Sequence, residues 1–336
     1  MRFFSKIIPA AILITAYSIY ACNNNKESSP FGNILSQAPF DGLTDSISKF
    51  PGHDELYFRR AVLFNKNNFP EPALADFQKA WSLQKEEPYA LGISTILLEK
   101  NPDSAIAFLN QAIKEIPNSL LLQLSLARNY DAQNKTDDAL AVCNEILQKN
   151  PMQVDALKMK ADLLYKKDNM AESTVTLEKA YSLTPFDLDL NYQLASQYAE
   201  SKNAKVIALC DSLIKKDSMQ VHAEPYYFKG LYYSYINDKA KAIALFNQAI
   251  RHNYNYLNAY IGKGRALFDQ QKFNEALKVF QLSQTISPSF ADAYYWIGRC
   301  QEATGQKDEA RLNYQRAYGL DRTFIEAKEA ADRIKK

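Results

Sequence analysis

Few side chains in this chain of 336 residues have the type and spacing for catalysis or metal binding. His53, His222 and His252 fall in turns or helix ends of separate segments, and none stands in an H-x-x-x-H or beside a C-x-x-C. A metal site needs ligands that converge, so no metal is expected. Cys143, Cys210 and Cys300 read as small core residues on separate helices. A disulfide needs Cα atoms within about 7 Å, so these thiols are expected to stay free. Gly262-Lys263-Gly264 lacks the G-x-x-x-x-G-K-[ST] spacing of a phosphate loop and the strand before it. No G-x-S-x-G elbow occurs, and the many carboxylates form no pair that can be placed in one pocket. The expectation is a chain with no catalytic residue, no cofactor and no metal. Its 40 basic and 38 acidic residues also give no electrostatic reason to bind nucleic acid. With 47% apolar and 23% charged residues it has the composition of a folded protein.

The elements that could position a binding surface begin after an export signal. Arg2 and Lys6 precede an apolar run from Ile7 to Ala21. About fifteen residues at 1.5 Å each fall short of a hydrocarbon core of about 30 Å. The pattern predicts a signal peptide over 1–21. Ile19-Tyr20-Ala21-Cys22 resembles a bacterial lipobox, with small Ala21 in place and Tyr20 departing from the usual small residue. That resemblance implies acylation of Cys22, a membrane anchor of two or three chains, and a lipidated flexible tether over 22–40, rich in Asn, Ser and Pro. No Asp follows Cys22. By analogy with Gram-negative sorting, an exported protein in the cell envelope, at the outer membrane, is expected.

Beyond the tether the sequence repeats with a period near 34. Eight units run 54–85, 86–119, 120–153, 154–187, 188–222, 223–256, 257–290 and 291–324. Each reads as two amphipathic helices around a short polar turn. Small residues fix the register. The eighth position holds Ala61, Ile93, Ala127, Ala161, Ala195, Gly230, Gly264 and Gly298. The twentieth holds Ala73, Ala105, Ala139, Ser173, Val206, Ala242, Ala276 and Ala310. The twenty-seventh holds Ala80, Ala112, Ile146, Ala180, Leu213, Ala249, Ser283 and Ala317. Small side chains let paired helices approach. Larger fillers, among them Phe77, Phe246, Phe280 and Tyr314, occupy the twenty-fourth. Pro117, Pro151, Pro185 and Pro288 stop second helices. Unit 188–222 is the least regular, with Val206 or Ile207 at its twentieth position.

These positions resemble the tetratricopeptide repeat family. The resemblance implies an all-α, right-handed TPR superhelix, an α-solenoid of about eight repeats. Residues 41–53 would form an N-terminal half-repeat cap and 325–336 a C-terminal capping helix, with 54–324 forming one array. It also implies that first helices line a concave groove. Residues placed there are Arg128, Lys158, Tyr165, Tyr192, Tyr227, Tyr235, Arg265, Phe268, Tyr295 and Arg299. Tyr and Arg are the types most enriched at binding hot spots, although Tyr rings at these positions also suit packing between repeats. Asp162, Glu224 and Phe228 stand where a carboxylate clamp of TPR co-chaperones would need Asn, Lys and Arg, so that activity is not expected. The reading is a non-enzymatic adaptor anchored to the envelope, binding a protein or peptide partner in the groove. Alternatives are an assembly factor for a secretion, pilus or peptidoglycan-processing complex, and an enzyme with a site in the groove.

Overall fold

The computed structural model describes residues 31–217, 219 and 221–334. The expected signal peptide, Cys22 and the first part of the tether lie outside them. Among the described residues there are helices and no strand. A short α1 (Gly32–Leu35) and α2 (Asp41–Lys49) come first. Helix pairs follow: α3 (Asp54–Lys66) with α4 (Pro70–Leu83), α5 (Glu87–Lys100) with α6 (Pro102–Glu115), and α7 (Leu120–Ala132) with α8 (Thr136–Lys149). Next come α9 (Val154–Lys166) with α10 (Met170–Leu183), and α11 (Leu188–Glu200) with α12 (Lys205–Lys216). The last pairs are α13 (Glu224–Tyr235) with α14 (Lys239–His252), α15 (Leu257–Asp269) with α16 (Phe273–Ile286), and α17 (Ala291–Ala303) with α18 (Lys307–Leu320). Helix α19 (Ile325–Ile334) ends the described chain.

Local chemistry sets these boundaries. The side chains of Asn101, Ser119, Asn169, Asp187 and Asp238 each accept from a backbone N–H in the first turn of the helix they precede. Pro117, Pro151, Pro185 and Pro288 each lie just past the end of a second helix. Within every pair but α5–α6 the chain reverses through one residue of left-handed backbone: Asn68, Asn134, Asp168, Lys202, Asn237, Gln271 or Gly305.

The small-residue register is the core. Every residue at the eighth, twentieth and twenty-seventh positions is buried, as is every filler at the twenty-fourth. In the irregular unit Val206, fully buried, takes the twentieth position and Ile207 is only partly buried. Close approach is tightest at the glycines. A Cβ on Gly264 would stand 2.3 Å from the Phe280 ring, and one on Gly298 2.8 Å from Tyr314. Gly262 adds a contact the register does not assign. Phe246 lies between Gly230 of its own pair and Gly262 of the next, where added Cβ atoms would come within 2.7 and 2.6 Å.

The sequence reads one array over 54–324, but compactness divides the chain into a unit ending at Ile96 and a unit starting at Leu97. The division falls inside α5 because the start of that helix is tied to the first unit. Tyr89 Oη donates to Asp54 at 2.6 Å, and Gly92 lies against Phe77. The first unit also corrects the tether at its end. Residues 31–40 include α1, and Phe40 is buried, stacked on Phe64 with centroids 4.3 Å apart. Burying an aromatic ring outweighs the polar composition that marked this stretch as coil. In the same unit Arg60 holds Asp76 through two hydrogen bonds of 2.6 and 2.8 Å and donates to Thr44 Oγ1 at 3.0 Å.

Candidate partner-binding face

Within the second unit, successive first helices touch: α11 meets α13, α13 meets α15, and α15 meets α17. The second helices α14, α16 and α18 make no comparable contact with one another among the described residues. From α11 to α17 the first-helix side is therefore the tighter side, and clefts open between first helices along the second unit.

One cleft, of about 520 Å³, is lined by Arg128 and Asp131 of α7 and by Lys158, Asp162, Tyr165 and Lys166 of α9. Half of its charges are already paired. Lys158 holds Asp187 at 2.7 Å, Lys166 pairs with Asp131, and Tyr165 Oη donates to Glu200 at 2.8 Å. The Glu200 hydrogen bond and burial push the Tyr165 phenol up from its ordinary value. The exposed Tyr235 of α13 adds a smaller push. A second cleft of about 490 Å³ shares Lys158 and continues along Tyr192, Gln193, Ser196 and Phe228. A third, also about 490 Å³, is lined by Phe268, Tyr295, Arg299 and Glu302 and closed by α19.

Eight of the ten predicted residues divide into three groups. Arg128, Tyr165, Tyr235 and Arg265 are exposed. Tyr227 is half-buried. Its ring lies 5.8 Å from Phe246, 5.5 Å from Phe228 and 5.3 Å from Tyr256, and burial pushes its phenol up to about 12. Tyr192 is likewise half-buried against Phe228, and burial raises its phenol most. These two rings chiefly pack between repeats. Phe268 and Tyr295 are shared: each packs against Trp296 and each stands beside Arg299. Sequence reasoning missed Trp296 and Glu200, which organise the predicted arginines and Tyr165. One signal was available for Trp296, since it stands between the predicted Arg265 and Arg299 and is one of only two tryptophans.

Cys143, Cys210 and Cys300 are buried and free. Burial pushes their thiols from 9.0 up to about 11, 12 and 12 respectively. The thiolate is the nucleophile, so at pH 8 a thiol reagent should leave all three unmodified in the folded chain and label them in denaturant. Rapid modification of Cys143 before unfolding would contradict the packing described. Because the folded values are raised, the thiols' contribution to stability is intact below about pH 9 and is lost as pH rises toward 11–12. No group of three or more His, Cys, Asp or Glu residues placed to hold a metal ion occurs among the described residues. No helix among them is long and apolar enough to cross a membrane.

Family models described as tetratricopeptide repeat match residues 97–163, 229–289 and 291–324. These segments are similar to tetratricopeptide repeats. A solved tetratricopeptide repeat protein from Parabacteroides merdae has the same fold, with a TM-score of 0.55 at 15% identity, covering 84% of this chain and 99% of that one. Among curated proteins, anaphase-promoting complex subunit 7 of Mus musculus is 24% identical over 287 residues, 82% of this chain and 49% of its own. Heat shock protein STI1 of Saccharomyces cerevisiae is 30% identical over 118 residues, 34% of this chain and 20% of its own. The chain thus spans about half the length of the first relative and a fifth of the second. TPR arrays generally mediate protein–protein interaction, and the unit starting at Leu97 contains every matched TPR segment.

Proposed function

We propose that this chain is a non-enzymatic scaffold that captures a protein or peptide segment along the first-helix face of its second unit, and that acylation of Cys22 fixes it to the cell envelope, at the outer membrane. The observation that carries the binding role is the position of Arg128, Tyr165, Tyr235 and Arg265. All four are exposed on first helices, Tyr235 and Arg265 where successive first helices touch, while the small residues of the register are spent on the core. Large, rotamer-poor side chains with polar tips on a concave surface suit protein recognition. By its name the Mus musculus relative is a subunit of a larger complex, which accords with a scaffold role.

Arg128→Ala, Tyr235→Ala and Arg265→Ala combined should reduce in-cell crosslinking to the partner at least tenfold and leave thermal unfolding nearly unchanged. Tyr227 is left in place because its loss would disturb the Phe246 core. Unreduced crosslinking by the triple variant would remove the binding proposal. The anchor is tested separately. An acyl probe should label the chain, and Cys22→Ser should abolish the label and release the chain from membranes. Membrane retention of unlabelled Cys22→Ser would contradict the anchor.

A further inference from the structure

Arg265 and Arg299 occupy the same position in successive repeats and meet on one indole. Their Cζ atoms lie 5.2 and 5.4 Å from the Trp296 centroid, so the two charges stand within about 11 Å of each other. Trp296 is itself stacked on the buried Phe280, with centroids 5.7 Å apart. Arg299 also stands 5.4 Å from the Phe268 ring and 5.9 Å from Tyr295, and donates to Tyr295 Oη at 3.2 Å. Neither guanidinium has an ion pair among the described residues. The acid one turn along α17, Glu302, is already taken. It accepts two hydrogen bonds from Arg333, of 2.8 and 2.9 Å, and one from Tyr314 Oη at 2.7 Å. Asp292 faces Arg265 from beyond ion-pair distance, and burial pushes its carboxyl up. Across the cleft of about 490 Å³ from Arg299, α19 presents Glu326 and Glu329, both exposed and neither in an ion pair among the described residues.

Arg299 therefore lines this groove with Arg265 beside it across the shared Trp296 ring, and Glu326 and Glu329 stand on the opposite wall, all four without an ion pair among the described residues. We propose that it takes an extended segment in which an acidic residue neighbours a basic one, with the carboxylate on Arg265 and Arg299 and the cation on Glu326 and Glu329. The inference rests on the partner-binding reading of the first-helix face. A guanidinium presents a planar fork of donors that fits a carboxylate. Stacking on aromatic rings holds these forks in place before a ligand arrives, which lowers the ordering cost of binding. A purely acidic segment would be repelled by Glu326 and Glu329, and a purely basic one by the arginines.

The test uses the full chain carrying Trp81→Phe, which leaves Trp296 as the single tryptophan. Trp296 emission is followed while four capped nonapeptides on a shared Gly/Ser/Leu background are titrated: mixed-charge, acidic, basic and uncharged. The mixed-charge peptide should bind at least tenfold tighter than the others. Arg265→Gln and Arg299→Gln should each weaken it by about tenfold, as should Glu326→Gln with Glu329→Gln. Arg265 is exposed, so its variant keeps the test valid even where a substitution at Arg299 disturbs folding. Equal binding of the four peptides, no emission change with the mixed peptide, or indifference to Arg265→Gln would overturn the proposal. In-cell crosslinking from the groove without charge dependence would sink this inference and leave the scaffold reading standing. Absence of that crosslinking would remove both.

Discussion

Phe246→Ala should destabilise the second unit by about 3–5 kcal/mol, the usual cost of emptying a buried aromatic site. Phe246 is fully buried, and its ring fills the space left by the missing side chains of Gly230 and Gly262. Three helices, α13, α14 and α15, depend on that ring. Repeat arrays lose cooperativity when one interface weakens, so the measurement is native-state hydrogen exchange resolved by helix. Protection should fall most in α13–α15 and least in α17–α19. The converse change, Gly262→Leu, should cost about 1–3 kcal/mol by overpacking. Gly262→Ala with Phe246→Leu should cost less than the sum of the two, because the residues share one space. A loss below about 1 kcal/mol for Phe246→Ala would mean that this ring does not join the two pairs.

The second large effect lies in the first unit. Arg60 and Asp76 are 6% exposed each and joined by two hydrogen bonds of 2.6 and 2.8 Å. Burial pushes the Asp76 carboxyl up while the guanidinium pulls it down. Asp76→Ala leaves a guanidinium buried without its counterion, and removal of one partner of a buried pair typically costs about 3–5 kcal/mol. Arg60→Met with Asp76→Leu should recover most of that loss, since well-packed apolar residues of similar volume commonly match a buried pair. Urea denaturation of the four chains tests this as a double-mutant cycle. A single Asp76→Ala variant as stable as the parent would show that the pair is not load-sharing in the core.

The register of this fold was legible because it depends on volume. Ala61, Ala73 and Ala80 recur at the same offsets as Ala161, Ser173 and Ala180, and all are fully buried. A side chain's size is written in the sequence, whereas its partners across the array are not. Gly262 shows the difference: its role depends on Phe246, an aromatic filler in the preceding pair. A glycine two residues before the small position, following a unit with an aromatic filler, is the signal that was available. Phe40 was lost to the tether because the polar residues around it dominate composition, while its stacking on Phe64 is a tertiary event. On the candidate face, periodicity separated first helices from second helices. It could not separate Tyr227 and Tyr192, which pack against aromatic neighbours, from Tyr165 and Tyr235, which face water.

The first-helix face as the working surface is tested most directly by photo-crosslinking with one reactive side chain at a time. The crosslinker replaces Arg128, Ser196 or Tyr235 on first helices, or Val175 or Leu282 on the exposed side of second helices. All five positions are surface or half-buried sites outside the small-residue register. Covalent adducts to one partner from Arg128, Ser196 and Tyr235, with none from Val175 and Leu282, are the predicted result. Adducts that form from the second-helix positions, while the first-helix positions stay unlinked, would contradict it.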